Sequence, residues 1–109
     1  MSAAEPNRTK ASLPPARKRL LDLLQRINFG RLEGLLVRGG DPVLTPLPRV
    51  VREYKFAAEN GPRPEAGLAD FALKAQHRDL FRLLDEVGDG TIAVLTVKHG
   101  LPFQAEVAG

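Results

Sequence analysis

Residues Phe29–Pro42 read FGRLEGLLVRGGDP, and residues Asp89–Pro102 read DGTIAVLTVKHGLP. Each stretch follows an apolar-periodic run, alternates apolar and polar residues, and closes on Gly-x-Pro. Setting residues 20–44 over 80–104 without a gap gives eight identities in twenty-five positions: Leu20/Leu80, Leu23/Leu83, Leu24/Leu84, Gly30/Gly90, Leu35/Leu95, Val37/Val97, Gly40/Gly100 and Pro42/Pro102. Composition alone would give roughly two or three. The pattern predicts an internal duplication of a helix–strand–strand unit.

The helices are the most local part of that unit. Leu20, Leu23, Leu24 and Ile27 recur at helical spacing through 16–27, which predicts an amphipathic helix. Pro14 and Pro15 precede it, where a first turn tolerates proline. Asn28 follows, a residue that accepts the left-handed conformation that ends helices. A second helix is expected to open with Asp70 as N-cap and to run to Val87, with Leu73, Leu80, Leu84 and Val87 on one face and Gly88 as its stop.

The hairpins carry the register. Leu101, Phe103, Ala105 and Val107 alternate with Pro102, Gln104 and Glu106, one buried face and one wet one. Opposing Leu95 to Phe103 and Val97 to Leu101 leaves a three-residue loop, Lys98-His99-Gly100. Arg38-Gly39-Gly40 repeats it and sets Leu35 across from Val43, so Gly40 and Gly100 are expected to take positive φ. That phase turns Leu32, Leu36, Ile92 and Val94 away from the helices as an uncovered apolar patch. Either the 46–56 segment or a second copy should cover it. Pro46 and Pro48 keep 46–56 from acting as a central strand, which favours a homodimer. RVVREYKF (49–56) reads as a further strand, and residues 57–69 as a proline- and glycine-bearing loop.

The expected fold class is therefore α+β: two helix–β-hairpin repeats, 14–56 and 70–107, joined by the 57–69 loop into an antiparallel sheet with both helices on one face. One domain accounts for 109 residues. Residues 1–13 are polar and aperiodic, and read as a flexible basic tail.

Charge and composition narrow the function. The formal charge of +3 is uneven: residues 1–19 hold five basic groups and one acid, whereas the remainder holds eleven basic and twelve acidic residues. A basic tail is a weaker pointer to nucleic acid than a basic face. With no cysteine in the chain, thiolate chemistry and disulfides are excluded. No apolar run approaches the ~20 residues of a membrane-spanning helix, and no signal segment is visible; a soluble cytoplasmic protein is the expected class.

No motif yields a catalytic, cofactor or metal site. VRGGDP has strands on both sides rather than the strand–loop–helix order of a phosphate cradle, so its glycines serve the turn. His77 and His99 lack metal-binding spacing and convergent partners. Asp85, Glu86 and Asp89 crowd the end of the second helix, the unfavourable end for negative charge, and read as a solvated cluster beside a turn. The stretch carrying Arg49, Arg52, Tyr54, Lys55 and Arg63 is the best contact surface, because basic residues interleaved with aromatic ones suit phosphate pairing and base stacking. Glu53, Glu59 and Glu65 lie among them, so an exposed strand with internal ion pairs is the competing reading.

The helix followed by INFGRLEGLLVRGGDPV (27–43) resembles the small bacterial proteins called YezD-like, in which a helix leads through an I-x-[FY]-G step into a glycine-turn hairpin. The second unit departs from that pattern at Asp89, where an aromatic counterpart of Phe29 is expected. The resemblance implies a small α+β module and transfers no active site. Two functions follow as expectations: a non-enzymatic binding or regulatory module acting as a homodimer, or a nucleic-acid-associated protein using the basic tail and residues 49–63.

Overall fold

The computed structural model describes residues 9–58 and 72–108. Helix α1 (Pro15–Ile27) leads into strands β1 (Gly30–Arg38) and β2 (Asp41–Val43), followed by β3 (Arg49–Arg52). Helix α2 (Ala75–Val87) leads into β4 (Gly90–Lys98) and β5 (Leu101–Val107). The fold is α+β with a five-stranded antiparallel sheet ordered β2-β1-β4-β5; β3 continues along the β2 side of β1. The second helix opens later than its sequence suggests, with Lys74 as N-cap. Asp70 lies outside the described residues, as does most of the expected 57–69 loop.

Both helices stop by the same backbone device. Asn28 (φ 62°) and Gly88 (φ 63°) each donate an N–H to the carbonyl four residues back, Leu24 and Leu84. Each cap carbonyl then accepts from the hairpin glycine of the other unit: Gly100 N–H to Asn28 and Gly40 N–H to Gly88, both at 2.9 Å. The β1–β4 ladder has the same twofold character. Gly30 faces Val97 and Val37 faces Gly90; Leu32 faces Leu95 and Leu35 faces Ile92. Shifting each member of a pair by sixty positions gives another pair.

Two local expectations change. The hairpin loops hold two residues, not three, because Arg38 faces Asp41 and Lys98 faces Leu101. Both central residues have positive φ (Gly39 57°, Gly40 79°; His99 56°, Gly100 72°), the turn whose twist matches that of the strands. Leu36 rather than Leu35 consequently faces Val43. In the second hairpin a bulge absorbs Phe103, since Thr96 faces Gln104 while Val97 faces Pro102.

The second change concerns the apolar patch. Leu32 and Ile92 are 0% exposed and sit in one core with Leu20, Leu24, Leu35, Leu80, Leu84, Leu95 and Val97. Only Leu36 and Val94 lie on the outer face, each half-buried. Strict alternation puts residues 32 and 35 on opposite faces, yet both point inward. The phase slips at Gly34, which takes φ 75° inside β1, and at Ala93, where β4 shifts register against β5. Glycine inside a strand commonly marks such an irregularity. With Leu32 and Ile92 in the core, the apolar patch expected to face a second copy is reduced to Leu36 and Val94.

The described part of the N-terminal segment is docked rather than free. Leu13 is 3% exposed and joins the core, residues Lys10–Ser12 form a single 3-10 turn, and Thr9 bridges Ala72. Lys10 is 4% exposed with its ammonium on Asp22; its aliphatic stem covers apolar surface while the charge finds a partner. Leu13→Ala is expected to cost about 2 kcal/mol or more and to lower the melting temperature by several degrees. An unchanged melting curve would show that the segment is not held.

Candidate functional site

The end of the sheet where β1 begins and β4 finishes gathers cations and aromatic rings from four separate segments. Gly30 faces Arg52 on one side and Val97 on the other, so the residues flanking these positions become neighbours. Phe29 directly precedes β1, and its carbonyl accepts from Glu53 N–H at 2.9 Å. The Lys55 ammonium stands 5.0 Å from the Phe29 ring centroid. The His99 ring meets Phe29 edge-on, 4.8 Å between centroids.

Two further pairs flank this one. The Arg52 guanidinium lies 5.2 Å from the Tyr54 ring, and the Lys98 ammonium 4.1 Å from that of Phe103. All three cations are within the ~6 Å at which a ring quadrupole attracts them. Tyr54 is 62% and Phe103 57% exposed, far too open for either ring to be explained by core packing. Phe103 is the bulge residue of β5, and a bulge re-aims a side chain.

The outer face of the sheet continues from this end. Pairing sets Val51, Arg31, Thr96 and Gln104 in one row across four strands, and Arg49, Glu33, Val94 and Glu106 in another. Arg31 lies 2.7 Å from one Glu33 oxygen and Arg49 lies 3.5 Å from the other. The hydrogen bond from Arg31 holds the Glu33 carboxyl below the usual carboxylate range, with the charges of Arg31 and Arg49 adding to it. Of the contact residues expected from sequence, Arg52, Tyr54 and Lys55 come together. Arg49 is instead at the far end of β3 with Glu33, and Arg63 lies outside the described residues.

Phe29, Lys98, His99 and Phe103 were not expected at the site. They lie far from residues 52–55 in sequence, and only the strand order β3-β1-β4-β5 brings them there. The one local sign was a Lys and a Phe flanking the second hairpin turn.

Other conspicuous residues have structural tasks. Arg17, 8% exposed, donates to the Gly40 carbonyl at 2.9 Å and to Asp85 at 2.6 Å, lies 3.5 Å from Asp41, and covers Phe81. It thereby ties α1 to both the first turn and α2. Asp89 accepts from Gly39 N–H at 2.9 Å, so it latches the first turn just as Phe29 latches the second through His99. That gives Asp89 its role where the other unit has an aromatic ring. His77 is 1% exposed and its Nδ1 accepts from Lys74 N–H at 3.0 Å, closing the start of α2.

A shallow, mostly apolar groove between α2 and β5 is lined by Leu80, Leu83, Leu95, Phe103 and Ala105, with Gln76, Asp79 and Gln104 as its polar residues. Among the described residues no cluster of His, Asp and Glu is placed to hold a metal ion, and no helix is long and apolar enough to cross a membrane. No protein-family model, curated protein or solved structure matches the chain.

Proposed function

We propose that this chain is a small non-enzymatic binding module that takes nucleic acid at the end of its sheet formed by Arg52–Lys55, Phe29 and Lys98–Phe103. The observation that supports this reading is the arrangement of three cations, each beside an aromatic ring, with two of those rings open to solvent. Cations supply sequence-independent attraction to phosphates, and rings supply faces for bases. Within the N-terminal segment, Lys10 pairs with Asp22 and Arg17 with Asp85.

Binding of a labelled oligonucleotide, followed by fluorescence anisotropy, tests the proposal. With three cations engaged, the logarithm of affinity should fall against the logarithm of salt concentration with a slope of about −2 for a single strand. Replacing Arg52, Lys55 and Lys98 together with glutamine should weaken binding at least about ten-fold and flatten that slope, with circular dichroism unchanged. Absence of binding at low salt would refute the reading. Glu33→Gln provides an independent sign: it removes a carboxylate that neutralises Arg31 and Arg49 on the adjoining face, so affinity should rise.

A further inference from the structure

We infer that the strand bound at this end is single rather than duplex, and that it crosses the sheet from β3 towards β5 with successive bases on Tyr54, Phe29 and Phe103. This deepens the nucleic-acid reading above and rests on it.

Base faces are buried by stacking inside a duplex, so an aromatic ring gains a stacking partner only from an unpaired or extruded base. Duplex readout instead needs a helix or a two-stranded ribbon that enters a groove. The site offers rings at one end of three of the four strands β3-β1-β4-β5. Tyr54 follows β3, Phe29 precedes β1, and Phe103 belongs to β5 beyond β4. Neighbouring strands lie ~4.8 Å apart, so the β3 and β5 ends are separated by about 14 Å, with Phe29 between them. Two open rings, with half-buried Phe29 between them, give room for about two to three bases. The cations are distributed in the same way: Arg52 beside Tyr54, Lys55 beside Phe29, and Lys98 beside Phe103. A strand that follows the rings therefore passes a positive charge at each step. A strand that ran along β1 instead would meet Glu33 after Arg31.

The chain contains one tyrosine and no tryptophan, so its intrinsic emission reports on Tyr54 alone. Titration of the full chain with oligothymidylate should quench that emission to saturation, and a duplex of matched length should bind at least about ten-fold more weakly. Phe103→Ala should weaken single-strand binding about ten-fold while leaving the salt slope unchanged, because a ring carries no charge. Equal affinity for duplex and single strand, or saturable binding that leaves Tyr54 emission unaltered, would overturn the inference and leave a phosphate contact without stacking. Failure of both probes to bind at low salt would overturn the nucleic-acid reading together with it.

Discussion

Leu32→Ala and Ile92→Ala are each expected to cost about 2–5 kcal/mol of stability, the range for removing a large aliphatic side chain from a closed core. Each residue is 0% exposed, belongs to the core that holds leucines of both helices, and faces a leucine of the other central strand. Neither pocket collapses easily, since Leu32 faces Leu95 and Ile92 faces Leu35 at the centre of the sheet. Val94→Ala is the control. It lies on the outer face between Glu33 and Glu106, half-buried, and should cost less than about 1 kcal/mol. Urea titration of the three variants separates the two placements. If Val94→Ala proves as damaging as Leu32→Ala, the strand phase around Gly34 is wrong.

Gly30→Val is expected to be at least as harmful, by about 3 kcal/mol or more, through steric overlap combined with backbone strain. Gly30 is buried at φ 154°, a conformation that side-chain-bearing residues rarely take. A Cβ there would fall inside the contact distance of the Val51 carbonyl oxygen, with Arg52 Cα and Ile27 Cγ2 each 3.0 Å away. The oxygen belongs to strand backbone and has no free direction in which to move. Gly90, the counterpart in the second unit, lacks this constraint: its φ is ordinary, and a Cβ would meet only Val87 Cγ1, at 3.2 Å. The difference comes from β3, which lies against Gly30; among the described residues no strand pairs with Gly90 on the corresponding side. Gly90→Ala should therefore be tolerated within about 1 kcal/mol. Because β3 carries Arg52 and leads into Tyr54 and Lys55, a Gly30 variant that still folds should also lose affinity for the oligonucleotide. Thermal melting and anisotropy together read both consequences.

What the sequence by itself determined is local in origin. The 3.6-residue spacing of leucines in 16–27 and 80–87, the stops at Asn28 and Gly88, and the turn glycines Gly40 and Gly100 each follow from dihedral preferences and periodicity within a few residues. The α+β class follows from placing those elements in order. Tertiary structure decided whatever depends on which distant segments meet. One glycine, Gly34, reversed the inward face of β1 and moved Leu32 from an expected surface into the core. Leu13 and Lys10 joined the fold because a buried apolar pocket and Asp22 were there to receive them, which no property of residues 1–13 could announce. The candidate site is the clearest case. Arg52, Tyr54 and Lys55 were visible as a basic–aromatic run, whereas Phe29, Lys98, His99 and Phe103 became their neighbours only through strand pairing. Periodicity is written in the nearest residues of a chain, but the pairing of strands is settled by burial and hydrogen bonding summed over the whole sheet, and the contact surface is a product of that sum.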